Sequence, residues 1–129
     1  MKALVLGFVL ALATSAVAQQ GTTASCKHTV TGQLQVFPFD SKVFGNTRML
    51  RVWLPPGYED AENSTKRYPV LYMFDGQALF DSCTAPGGTE WQVDETLTRL
   101  IRGEDKIDPI IIVVGIDSAG DRFLNEYVP

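Results

Sequence analysis

Few side chains in this sequence could carry chemistry, and each is constrained by its neighbours. The 129 residues include one histidine, His28, so a positioned imidazole is that residue or none. His28 lies in a polar lead, two places after Cys26, where a surface role is the ordinary one. Cys26 and His28 are too few ligands for a structural zinc. Ser118 is the most tempting nucleophile, in Gly115-Ile116-Asp117-Ser118-Ala119-Gly120. A nucleophile elbow, however, needs Gly two places before its Ser, so that the hydroxyl can be presented on a tight turn. That place holds Ile116, and Ser118 reads as a loop residue after a strand. Asp75, Asp81 and Asp94 lack the alternate-position spacing of a calcium loop. Asp75-Gly76 reads as a turn at a strand end, and Asp94-Glu95 as the solvated face of a helix.

The elements that would position these residues follow from hydrophobic spacing. Gly32 to Phe39 alternates loosely, with Leu34, Val36 and Pro38 on one side, and Pro38 marks an edge strand or a strand end. Gly45-Asn46 is a turn signal, and Met49 to Leu54 is a second strand with Arg48 and Arg51 as its polar positions, which makes an antiparallel hairpin. Pro55-Pro56-Gly57-Tyr58 ends it, and Glu59 to Arg67 is a charged loop. Val70 to Phe74 and Ile110 to Ile116 are short apolar runs without polar alternation, as in strands covered on both faces of a parallel sheet. Thr89 to Arg102 between them predicts a helix. Thr89 and Gln92 have capping-box spacing, Val93, Leu97, Leu100 and Ile101 form a stripe, and Gly103 is the stop. Strand, helix, strand is a βαβ unit. Both of its strands call for helices above and below, and the chain offers one good helix.

The first 18 residues read as a signal peptide. Met1-Lys2 is followed by an apolar stretch to Val17, and Ala16-Val17-Ala18 is a small-residue cleavage pattern. The apolar stretch is shorter than the ~20 residues a spanning helix needs. Cleavage after Ala18 leaves a flexible lead, 19–30, and one domain, 31–129. It implies a secreted or periplasmic protein in an oxidising compartment, with no membrane attachment after cleavage. There Cys26 and Cys83 either form one disulfide or remain two thiols, since spacing alone does not prove pairing. Asn63-Ser64-Thr65 is a glycosylation sequon on a polar loop. The formal net charge of −4 argues against a nucleic-acid partner, which would call for a basic stripe.

Four segments in register carry a family resemblance. Val52-Trp53-Leu54-Pro55-Pro56-Gly57-Tyr58, Tyr68 to Gln77, and Trp91-Gln92-Val93-Asp94-Glu95-Thr96-Leu97 resemble the putative esterase family, the esterase D and enterochelin-esterase-like branch of the α/β-hydrolases. Ile110 to Asp117, then Arg122 and Glu126-Tyr127-Val128-Pro129, continue the pattern.

The resemblance implies an incomplete α/β-hydrolase fold: strands 1–4 and the first helix, in the order 1-2-4-3, with strand 2 antiparallel and Val70 to Phe74 left as a bare edge. It implies a serine hydrolase of carboxylic esters, acting on a small-molecule or polysaccharide-linked ester, with no metal or organic cofactor. Family relatives act on siderophore esters, acylated sugars or small thioesters. The family's order is nucleophile Ser on a Gly-x-Ser-x-Gly elbow, then an acid, then a His. These residues carry none of that order, so the chain reads as the inactive N-terminal part of such an enzyme. The alternative is a small secreted binding module with a hydrolase-like half-fold. By position in the family, the N–H of Gly76 or Gln77 is the oxyanion-hole donor after the third strand. Trp91 either lines a substrate pocket or packs at the helix start. Arg122 and Glu126 either pair structurally or touch substrate.

Overall fold

A computed structural model describes residues 25–103 and 110–120. The expected signal peptide and the Arg122 and Glu126 positions lie outside the described residues. Strand β1 (Gln33–Ser41) pairs antiparallel with β2 (Asn46–Leu54), then β3 (Val70–Phe74), helix α1 (Val93–Arg102) and β4 (Ile112–Ile116) follow. The sheet order is β1-β2-β4-β3, with β2 antiparallel to β4 and β3 parallel to β4. This is the α/β arrangement the resemblance implies, with β3 at an edge. Pro38 sits in the middle of β1, and it is tolerated there because β1 is the other edge. No helix among the described residues is long and apolar enough to cross a membrane.

Side chains alternate between the two sheet faces. One face carries Trp53, Met73 and Val113, which pack with Leu79, Phe80 and Leu97 into the core. The other carries Leu50, Tyr72, Phe74, Val114 and Ile116, together with Phe39, around an open apolar hollow. Tyr72 and Phe74 remain 68% and 67% exposed. Among the described residues α1 therefore covers one face, as the mismatch in the sequence implies.

The helix differs from its sequence expectation in both start and stripe. It begins at Val93, and Gln92 before it is left-handed (φ 55°, ψ 43°) with no side-chain cap. No capping box forms. The approach is held instead by backbone bonds, Trp91 N–H to the Ala78 carbonyl (2.8 Å) and Val93 N–H to the Leu79 carbonyl (3.1 Å). The buried residues of the helix are Asp94, Leu97 and Thr98, while Leu100 is exposed. Asp94 is thus fully buried, not on a solvated face. Its Oδ2 accepts the N–H of Thr31 at 2.5 Å. Burial first, and then the neighbouring Glu95, push its pKa up to about 7 against the pull of that bond.

Residues 26–29, which fall in the expected flexible lead of 19–30, are strapped down. Cys26 and Cys83 form a disulfide. His28 Nδ1 lies 2.7 Å from Asp81 Oδ2, and the Ser82 N–H donates to Thr29 Oγ1. His28 is exposed as expected, yet it has a partner. Asn63 of the sequon is half-buried, and its Nδ2 donates to the Gly57 carbonyl at 2.8 Å, so this amide closes a turn.

Two predictions follow from this packing. Closing a loop with a sequence separation of 57 residues constrains the unfolded chain by about 4 kcal/mol. Replacing both Cys26 and Cys83 by Ser should lower stability by roughly 2–4 kcal/mol in urea denaturation. The second concerns acid. Burial alone would raise the pKa of Asp81, but the bonds from His28 and from the Cys83 and Thr29 N–H groups outweigh it and hold the pKa below the usual 3.8. A folded value below the unfolded one stabilises fully at higher pH and is lost as pH falls through the folded value. Wild type should therefore lose stability below about pH 4 more steeply than Asp81→Asn, read as urea midpoints across an acid pH series.

Candidate functional site

In open α/β sheets, ligands bind beyond the carboxyl ends of the strands. Here β3 ends in Asp75-Gly76-Gln77 and β4 in Asp117-Ser118, side by side. Asp75 takes a left-handed conformation (φ 54°, ψ 45°), a strained choice for a residue with a Cβ. The turn then coils through Gly76–Ala78. Gly76 lies against β4 so closely that a Cβ on it would sit 2.8 Å from the Gly115 carbonyl carbon and 2.9 Å from the Ile116 nitrogen. A Cβ on Gly115 would meet the Gly76 Cα at 3.0 Å. Two glycines are needed for this approach.

Charge fixes the same corner. Arg51 donates twice to Asp117, Nε to Oδ1 at 2.7 Å and Nη2 to Oδ2 at 2.9 Å, with both side chains largely buried. The Asp117 N–H also donates to the Met49 carbonyl. A bidentate pair of this kind holds both planes in one orientation.

The Gln77 side chain spans the gap between the two strand ends. Its Oε1 accepts the Ser118 N–H at 3.0 Å, and its Nε2 donates to the Ser118 hydroxyl oxygen at 2.9 Å. Ser118 thus faces an amide donor where an activated nucleophile would face a base. His28 is committed to Asp81 instead. A carboxylate on Nδ1 is how a catalytic imidazole is oriented, but the hydroxyls beside this pair are engaged: Ser82 Oγ donates to the Lys27 carbonyl and Thr29 Oγ1 to Glu90.

In the turn after β3, the N–H groups of Ala78 and Leu79 bond back to the carbonyls of Asp75 and Gly76. The N–H groups of Gly76 and Gln77 come first in the coil, where no intrahelical acceptor exists. Beside them runs a groove of about 580 Å³ lined by Asp75, Gln77, Pro86, Trp91, Asp117 and Ser118. Trp91 is 57% exposed. Gln77 and Trp91 therefore line one groove, with Gly76 buried beside Gln77 in the turn, whereas Cys26, His28 and Cys83 form a separate strap.

Sequence reading missed the Arg51–Asp117 pair and the bridge from Gln77 to Ser118. Strand parity was the available signal for the first. Arg51 and Trp53 are two apart and share a face, so an arginine beside a buried tryptophan calls for a buried carboxylate. For Asp94 it was the helical interval, since Asp94, Leu97 and Ile101 lie at i, i+3 and i+7.

The chain has recognisable relatives. Residues 41–127 match the family model described as putative esterase. The fold is similar to the crystal structure of an IroE-like serine hydrolase from Shewanella oneidensis, with a TM-score of 0.50 and 29% sequence identity over 70% of this chain. The chain spans about a quarter of that protein, 24% of its length. With the strand order 1-2-4-3 and a family match over most of its length, the chain belongs to the putative esterase family.

Proposed function

We propose that these residues form the N-terminal portion of a secreted serine hydrolase of carboxylic esters. The observation that carries the reading is the Asp75-Gly76-Gln77 turn, locked against β4 by two glycines and opening on the groove beside Trp91. In that role the N–H of Gly76 or Gln77 stabilises the negative charge that develops on the ester carbonyl oxygen. One such donor, held in place before the reaction, lowers the barrier by about 3 kcal/mol. The second donor, the Ser nucleophile, the acid and the His come from beyond Pro129, and the reaction proceeds through an acyl-enzyme. The buttress behind the turn matters because a preorganised donor costs no rearrangement when charge appears.

Trp91 supplies an aromatic wall for the substrate, and Gln77 holds Ser118 at the floor of the groove. Secretion is supported by the leader-like N-terminus and by the Cys26–Cys83 disulfide, a bond that persists in oxidising compartments. An extracellular location favours siderophore or acylated-polymer esters as substrates over cytosolic thioesters.

The test is p-nitrophenyl ester hydrolysis. The 129-residue chain alone should be inactive, and the full-length protein active. In the full-length protein, Ser118→Ala should leave kcat/KM near wild type, and Trp91→Ala should raise KM with little change in kcat. Turnover by the 129-residue chain that disappears with Ser118→Ala would overturn the proposal.

A further inference from the structure

The start of α1 gathers three acidic residues, Glu90, Asp94 and Glu95, each offering a carboxylate oxygen within 4.8 Å of the others. Each also keeps one buried oxygen with no hydrogen-bond partner: Glu90 Oε2, Asp94 Oδ1 and Glu95 Oε2. Asp94 is fully buried, so its free oxygen has no recourse to solvent. Two of the opposite oxygens are already held. The Thr31 N–H fixes Asp94 Oδ2, and the Thr29 hydroxyl fixes Glu90 Oε1. One turn beyond Asp94, the Thr98 hydroxyl is likewise buried and without a partner. The salt bridges seen among the described residues, His28–Asp81 and Arg51–Asp117, leave these carboxylates uncompensated.

From this arrangement we infer that Glu90, Asp94 and Glu95 bind a calcium ion. Asp94 is fully buried and the two carboxylates beside it are half-buried, and with no counter-charge among them the group has a standing demand for a cation. All the donors are hard oxygens, which select calcium or magnesium over softer metals. Calcium–oxygen bonds of about 2.3–2.6 Å allow two oxygens on one ion to stand up to about 5 Å apart, which the set satisfies. Magnesium is bound at about 2.0–2.1 Å in a near-ideal octahedron and gives up its water reluctantly. An irregular trio, one member fully buried and two half-buried, drawn from a loop and a helical turn suits the more tolerant ion. The consequence is mechanical. The ion joins the Thr29–Thr31 segment to the helix through Glu90 and Asp94, and so braces Trp91, the residue next to Glu90, at the lip of the groove.

The inference is independent of the esterase reading and is tested without substrate. The full-length protein, freed of divalent ions with a chelator, is titrated with calcium alone and followed by calorimetry and thermal unfolding. Binding should saturate, with a midpoint near or below about 1 mM, as in extracellular calcium modules, and the melting temperature should rise by several degrees. Asp94→Asn retains an acceptor for the Thr31 N–H, and Glu95→Gln retains the side-chain volume. Either should weaken calcium binding at least tenfold, with the folded circular-dichroism spectrum as control. If Asp94→Asn does not fold, Glu90→Gln takes its place in the same measurement. Absence of heat and of any melting shift in wild type at about 10 mM calcium, well above the extracellular range, overturns the inference. So do unchanged midpoints in the folded variants.

Discussion

Gly76 and Gly115 touch through their backbones, and most of what is distinctive here depends on that contact. Because nothing projects between them, the chain leaving β3 turns back over β4 instead of running past it. The same turn drives Leu79 and Phe80 into the core against Trp53 and Val113. It also leaves the first N–H groups of the coil at the carboxyl end of the sheet. Core packing and site geometry are therefore one constraint. A methyl group at Gly76 would have to displace backbone, which cannot yield as a flexible side chain can. The bidentate Arg51–Asp117 pair reinforces this corner, since Asp117 Oδ1 also borders Gly76.

Three acids organise the rest, Asp81 and Asp94 buried and Asp117 largely so, and each has a different electrostatic solution. Asp117 is neutralised by a guanidinium. Asp81 is surrounded by donors from His28, Thr29 and Cys83, enough to outweigh its burial. Asp94 has one donor for two oxygens and a carboxylate neighbour, so its pKa moves the other way, up to about 7. The first two are satisfied by this chain's own groups. The third is not, and it lies where the strap of residues 26–31 meets the helix. Asp81 and Asp94 both accept N–H groups from that strap, at Thr29 and Thr31, which otherwise would be poorly served. An acidic protein thus uses its carboxylates as local ties.

The strands were legible in the sequence because their signals are dense. Val70 to Phe74 coincides with β3, and the hairpin, the crossover and the 1-2-4-3 order follow from apolar runs and turn residues read with the family likeness. What was not legible depended on partners distant in the chain. Thr89 and Gln92 have the spacing of a capping box, but the carbonyls of Ala78 and Leu79 reach the nearby N–H groups instead, and the helix starts four residues later. Asp94 next to Glu95 looks like a solvated pair until Thr31 is placed over it. The turn at Gly76 was readable as a turn. That it needs a second glycine at 115 is a statement about two strands lying side by side, which local spacing cannot express.

The two edges of the sheet are built differently, and the contrast bears on what the sheet is for. β1 carries Pro38 at its centre with Gln33, Gln35 and Asp40 along it, devices that keep an edge from pairing. β3 is Val-Leu-Tyr-Met-Phe, with no charge, proline or bulge, and Tyr72 and Phe74 stand out from the sheet face that α1 does not cover. By composition it is an interior strand and by topology an edge. A self-contained binding module would be expected to blunt such an edge, because an apolar edge strand invites association with another strand. The Asp75-Gly76-Gln77 turn at the end of β3 lies beside Asp117 and Ser118 at the end of β4, where the groove opens.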